Sequence, residues 1–313
     1  MGSPMYQQTT SDIAIERPLP SRDWRPIWLQ AGMLVLLLPM TLFLLLFFLL
    51  PAINLLGYSI QTQNAQGIIG APLTLAHFAK FFTVDLYLRV LWNTLRISFW
   101  TCIYTALLAY PVAIAIVSAR PTLSRVISLI VIAPLVVSVV VRAYGWQLIL
   151  MAGPGGALNW LLLSIGVISE PLSLLYTPTA VVIGQVHVNL PMMVLPLAAA
   201  IGKIDPNLRD AARTLGAPWW EVFLRVTLPL SMPGLVAGVI IVFSLTAGAF
   251  VTPVVLGGPS ALMLGNLIEQ QIFTVFDWPF GAVISFILIF IVILLNTTLI
   301  RFVESRKFRR AQA

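Results

Sequence analysis

Soft and borderline metal ligands are almost missing from this chain: one cysteine, Cys102, and two histidines, His77 and His187. The histidines stand far apart with no ligand-spaced neighbours, and Cys102 sits in the middle of an apolar run. A disulfide framework and a metal site are therefore not expected. Lysine is nearly absent as well. Lys80, Lys203 and Lys307 are the whole set, and none follows a Gly-x4-Gly pattern, so the chain has no phosphate-cradling loop. No Ser-His-Asp constellation and no Gly-x-Ser-x-Gly turn is present, and no catalytic residue is assigned. Charge of either sign is scarce, at 9% of residues. An ordinary soluble globular domain carries about 25% charge, so that class is excluded.

What fills the chain is apolar. Hydrophobic residues make up 59% of it, and the mean hydropathy is +0.96, which marks an integral membrane protein. Six segments are long enough to cross a bilayer: 28–57, 88–117, 126–151, 177–201, 232–256 and 279–303. Backbone polar groups in lipid must bond within their own segment, so each span reads as a helix and the fold class as all-α and polytopic. Residues 27–305 form one transmembrane domain, between a flexible polar tail over 1–26 and a basic tail over 306–313.

Basic residues set the orientation. Arg17, Arg22 and Arg25, then Arg120 and Arg125, then Lys203, Arg209, Arg213 and Arg225, and finally the arginines and Lys307 from Arg301 to Arg310 all fall on one side. The other side holds only Lys80 and Arg89. Both termini are thus expected in the cytoplasm, and the net charge of +7 reflects topology. Lipid is the expected surroundings. A nucleic-acid partner would need a folded basic face interleaved with aromatics, which is absent.

Between the fourth and fifth spans, residues 203–230 read as a polar helical hairpin. Asp205 is an N-cap, Pro206 suits the first helical position, and Gly216 can adopt the left-handed conformation that ends the helix. Pro218 opens a second helix carrying Trp219, Trp220, Glu221 and Phe223, which Pro229 and Pro233 are expected to interrupt. At 1.5 Å per residue the first helix is roughly 15 Å long, too short to span. Leu208, Ala211, Ala212 and Leu215 share an apolar, small-residue face.

The pattern Asp210-Ala211-Ala212-x3-Gly216-x9-Val226-x-Leu228-Pro229 resembles the cytoplasmic loop of permease subunits of bacterial ATP-binding-cassette importers. Asp for Glu and Val for Ile are its two departures from the commonest form. The resemblance implies that Asp210, Ala211, Ala212, Gly216, Leu228 and Pro229 form a coupling helix that docks into an ATPase subunit. It implies a type I importer permease fold, with ATP and Mg²⁺ held by the partner ATPase and no cofactor on this chain. Further motifs are similar to the first of the two paired permeases of spermidine/putrescine importers: Arg142-Ala143-Tyr144-Gly145, the stretch from Tyr176 to Gly184, Leu190-Pro191, Leu195-Pro196, Val251-Thr252-Pro253, Gly265-Asn266 and Asp277-Trp278-Pro279-Phe280-Gly281. The likeness covers about residues 30 to 305. It implies a second related permease, a homodimeric ATPase and a periplasmic solute-binding protein in the bacterial inner membrane. Neighbouring subfamilies carry aminoethylphosphonate, iron or opines. An ion-coupled secondary transporter would show an internal inverted repeat, and none is evident.

The polar residues inside the spans stand apart from the resemblance. Gln185, Asn189, Met192 and Pro196 fall on one face of the fourth span, and Pro191 and Pro196 each free a carbonyl. That face is a candidate path wall. Arg142 is costly at mid-bilayer unless paired or hydrated. It reads either as a gate charge or as the partner of a carbonyl or of another subunit's carboxylate. Tyr144, Thr246, Phe250 and Thr252, with Ser244 and Gly248, complete the candidate path, and Phe250 could stack on a cationic amine. His187 lies off that face, where packing and solute contact both remain open. Asn93, Arg96, Trp100 and Tyr104 make a stripe on the second span suited to partner packing or snorkelling. Gly234-x3-Gly238 permits close helix approach. Glu269, Asp277 and Trp278 are assigned to the binding-protein side. No carboxylate lies deep in a span, so a polycation would have to meet carboxylates elsewhere, carbonyls or aromatic faces.

Overall fold

The computed structural model describes residues 27–64 and 66–311, so the tail of 1–26 lies outside the described residues. The chain divides into two compact units, Met1–Ile53 and Asn54–Ala313. α1 (Ile27–Leu44) passes through a π turn (Leu45–Leu49) into α2 (Leu50–Tyr58), within which the division falls. The large apolar side chains along it, Leu36, Phe43, Phe47 and Phe48 among them, are exposed. Such a surface suits hydrocarbon. Thr41 turns its hydroxyl back to the Leu37 carbonyl at 2.9 Å, which satisfies its donor within the helix.

After α2 comes a two-stranded antiparallel hairpin, β1 (Gln61–Gln63) and β2 (Ile69–Leu73), a small addition to an otherwise helical chain. The helices are α3 (Ala76–Thr83), α4 (Asp85–Ser118), α5 (Pro121–Val136), α6 (Val139–Leu150), α7 (Ala157–Ser164), α8 (Pro178–Gly202), α9 (Pro206–Thr214), α10 (Trp219–Val222), α11 (Leu228–Ala247), α12 (Leu264–Gln270) and α13 (Trp278–Ala311). The backbone of α13 stays helical through the basic segment to Ala311.

The helix α8 is the hub, packed against both α4 and α11. It starts where the Thr177 side chain accepts a hydrogen bond from Ala180 N, with Pro178 in the first turn. Its contact with α11 depends on two glycines. A Cβ on Gly234 would lie 2.6 Å from the Pro196 carbonyl oxygen, and one on Gly238 2.5 Å from Met193 Sδ. The Gly234-x3-Gly238 pair is thus a packing device. Met193, Leu197 and Ile201 fill the core towards the hairpin end, and Phe81, Phe280 and Ile284 fill it at the opposite end.

Five helical stretches among the described residues are long and apolar enough to cross a membrane, and α5 with α6 makes the sixth. That third crossing departs from the single helix expected over 126–151. The two helices meet at 101°. Pro134 has no N–H to give, Val137 N bonds back only to the Pro134 carbonyl at 3.2 Å, and Ser138 turns to ψ 139. The helix therefore ends and restarts. Irregular backbone at membrane depth is tolerated where it is covered by protein or lines a cavity.

A second departure concerns Pro229 and Pro233. Instead of interrupting the hairpin's second helix, they lie within an unbroken stretch from Trp219 to Ala247. A π turn over Phe223–Thr227 widens the helix just before Pro229, and the π turn Leu45–Leu49 stands in the same place relative to Pro51. Proline fails in a helix because it lacks an N–H and its ring strikes the carbonyl four residues back. An extra residue in that turn moves this carbonyl aside, and the helix continues.

Candidate functional site

The hairpin forms as its capping residues require. Asp205 Oδ1 accepts from Asn207 N at 2.9 Å, and α9 ends with Gly216 at φ +85. Ala217 N bonds to the Ala212 carbonyl at 3.1 Å and Gly216 N to that of Arg213 at 2.9 Å. This 6→1 and 5→2 pair is a Schellman ending. Asp210 and Arg213 pair loosely at 3.8 Å on the surface, and Glu221 and Arg225 pair at 2.9 Å. Leu208, Leu215, Trp219 and Trp220 are exposed, Leu215 by 88%. The apolar face of α9 is thus uncovered by its own chain. Leu228 and Pro229 lie in the first turn of α11, so the hairpin's second helix runs into the fifth span without a joint.

The second site is a cavity of about 350 Å³ beside the break between α5 and α6, with Leu135 and Val139 from either side of it in the wall. Arg142 reaches it from α6, Gln185, Asn189 and Met192 from α8, and Phe250 and Thr252 from the segment after α11. The i, i+4, i+7 face read from the sequence is a cavity wall for its first three members, but Pro196 does not line it. Gln185 and Asn189 are buried and joined. Asn189 Nδ2 donates to the Gln185 carbonyl at 2.9 Å, to Gln185 Oε1 at 3.0 Å and to Thr246 Oγ1 at 3.2 Å. Thr246 thus acts from behind the wall.

Arg142 is the costly member. Its Nε and Nη1 are buried and have no hydrogen-bond partner among the described residues, and none of the ion pairs found there involves it. A charged arginine at the centre of a span costs about 2.5–3.5 kcal/mol on insertion scales. The other polar liners are neutral and cannot offset it.

Other candidates go elsewhere. Tyr144 is 55% exposed and does not line the cavity, a correction that follows from its position two residues, about 200° of helix, beyond Arg142. Ser244 accepts from Asn296 Nδ2 on α13 at 2.9 Å, away from the path. His187 Nδ1 accepts from Trp146 Nε1 at 3.1 Å, an interhelical bond between α6 and α8. On α4, Trp100 stacks on Tyr104 with centroids 5.6 Å apart, and both, with Arg96, line a separate groove of about 410 Å³.

Residues without an assigned role hold the wall in place. Asn266 Nδ2 donates to the Phe250 carbonyl at 2.8 Å, and a Cβ on Gly265 would fall 2.5 Å from the Ala249 carbonyl oxygen. The Gly265-Asn266 dipeptide therefore fixes Phe250 from α12. Gly184 admits Thr252, whose Cγ2 would stand 2.9 Å from a Cβ there. At the end away from α9, Asp277 accepts from Phe280 N at 3.1 Å and lies 3.8 Å from Lys80 Nζ. Gln63 clamps the neighbouring turn, donating to the Phe276 carbonyl at 2.9 Å and accepting from Trp278 N at 3.2 Å. Glu269 on α12 is half-buried.

Residues 105–309, which take in the cavity and the hairpin, match the family described as the binding-protein-dependent transport system inner membrane component. The chain belongs to that family. It is a permease subunit of an ATP-binding-cassette importer, itself non-catalytic, with the ATPase on a separate subunit. The permease is 35% identical over 242 residues to the spermidine/putrescine transport system permease protein PotB of Haemophilus influenzae, covering 77% of this chain and 84% of the relative. It is 33% identical to PotB of Escherichia coli K12, covering 77% of this chain and 87% of that one. Among solved structures, a chain of a bacterial alginate ABC transporter in complex with its alginate-bound periplasmic protein superposes with a TM-score of 0.71, at 20% identity over 89% of this chain and 96% of that one. That likeness carries the fold of the importer permeases.

Proposed function

We propose that this permease forms the membrane path of a polyamine importer. It would assemble with a second related permease, a homodimeric ATPase that holds ATP and Mg²⁺, and a periplasmic binding protein. Both termini and the 203–230 hairpin would face the cytoplasm, in keeping with the basic residues gathered at that end. The uncovered face of α9, with Asp210, Ala211, Ala212 and Gly216, docks on the ATPase, and the continuous helix through Leu228 and Pro229 carries its movement into α11. Glu269, Asp277 and Trp278, at the other end, meet the binding protein. The pathway reading rests on one observation: Arg142, Gln185, Asn189, Phe250 and Thr252, drawn from three separate segments, meet at one cavity beside a broken span. Closure of the ATPase on ATP drives the permease pair between inward-open and outward-open arrangements.

The substrate class rests on the two spermidine/putrescine permeases and on the Phe250 ring, a face suited to an ammonium. A second reading is favoured by Arg142, whose Nε and Nη1 have no partner among the described residues and would suit an anionic solute such as a phosphonate. Uptake by the assembled complex in proteoliposomes separates the two. The polyamine reading expects ATP-dependent accumulation of labelled spermidine or putrescine that excess unlabelled polyamine suppresses. Accumulation of an aminoalkylphosphonate with no polyamine uptake would replace it.

A further inference from the structure

We propose that in the assembled importer Arg142 pairs with a carboxylate carried by a membrane span of the second permease, and that an incoming ammonium opens this pair by taking the carboxylate. The proposal rests on the polyamine reading. It starts from two buried guanidinium atoms, Nε and Nη1, that find no partner among the described residues. A buried positive charge held in place needs an opposite one near it. The start of α6 deepens the need: no acidic residue lies in its first turn and no side chain caps it. Three residues further on stands Arg142, so the positive end of a helix and a guanidinium act together.

The described residues of this chain do not supply the anion. None of its described carboxylates lines the cavity, and Asp210, Glu221 and Asp277 have basic partners of their own. Lipid does not supply it either. Gln185 and Met192 follow Pro178 on α8 by roughly 10 to 21 Å of helix, which puts the cavity at mid-span, below a headgroup phosphate. Leu135, Val139 and Leu245, which line the cavity, are themselves exposed and apolar. An apolar rim around a polar, positively charged centre fits the face of another helical subunit. A carboxylate from that subunit satisfies Arg142 with charge-assisted hydrogen bonds.

The exchange explains how a path containing Arg142 can pass a polycation. With the pair closed, the carboxylate is occupied and the cavity offers a free cation nothing. A polyamine delivered at high local concentration brings an ammonium that competes for the carboxylate, while Phe250 takes the methylene stem. Arg142 then turns aside, and the remaining charge of the substrate is repelled onward. No bond is made or broken covalently, and charge is conserved throughout.

The test uses the complete complex of both permeases, ATPase and binding protein, with assembly measured by co-purification. Arg142→Gln is expected to assemble, to hydrolyse ATP without binding protein, and to lose uptake by roughly tenfold or more, as for removal of one partner of a desolvated pair. Arg142→Asp should abolish spermidine uptake, and changing one span Asp or Glu of the second permease to Lys or Arg should restore it. Each such acidic residue is reversed in turn. If none restores uptake in an assembled Arg142→Asp complex, or if Arg142→Gln transports as the wild type does, the pair is not there. Failure of the wild-type complex to take up spermidine is a different result. It removes the polyamine reading, and with it the exchange.

Discussion

Replacing Gly216 with valine tests the hairpin at a position where only the backbone is at stake. A Cβ there meets nothing within 4 Å, yet φ is +85. A left-handed conformation costs an L-residue roughly 1–2 kcal/mol and a β-branched one more, up to about 3 kcal/mol. Relieving that strain means giving up the bonds from Gly216 N and Ala217 N to the Arg213 and Ala212 carbonyls, so the turn to Trp219 swings away. At about 2 kcal/mol, roughly 30-fold fewer hairpins hold the docking geometry. The assay is ATP hydrolysis stimulated by solute-loaded binding protein, together with recovery of ATPase on the purified permease pair. Asn, which tolerates positive φ, should keep most activity, Ala less and Val least. That order follows from backbone preference, because nothing packs on the site. If Val matches the wild type in both measurements, the Schellman ending has no part in coupling.

Other outcomes follow from particular contacts. Gly238→Leu drives a side chain into Met193, 2.5 Å from where its Cβ would sit; the expected loss of assembled permease should show as a drop in monodisperse complex on size-exclusion chromatography, and undiminished yield refutes the close α8–α11 packing. With Cys102 changed to Ser, cysteines at Asn207 and at Gln66 should react with an impermeant maleimide from opposite faces of the membrane; reaction of both from outside intact cells would overturn the topology. Asn189→Ala and Phe250→Ala should each lower uptake per assembled complex severalfold while leaving assembly near normal; unchanged rates in both dispose of the path assignment.

The hairpin was legible residue by residue because its signals are local. Asp205, Pro206 and Gly216 each act within four residues of themselves, and the structure shows each in the geometry its chemistry favours. The cavity was legible in part. Gln185, Asn189 and Met192 share a helical face by spacing alone, but their meeting with Arg142 and Phe250 depends on a bend that the hydropathy of 126–151 does not register. Pro134 was the available sign of it. Proline by itself is an ambiguous sign, since Pro229 and Pro233 leave their helix whole: the π turn before Pro229 absorbs the clash, whereas after Pro134 the chain turns at Ser138 and restarts. Gln63 illustrates what no local rule reaches. Its partners lie 213 and 215 residues away, and a glutamine in a short strand gives no hint of them. Arg142 runs the other way. The sequence marks it as anomalous, and the structure keeps it anomalous by burying two of its nitrogens without a partner among the described residues. A guanidinium left in that state by the described residues points to the neighbouring subunit, because a buried charge is costly until an opposite one meets it.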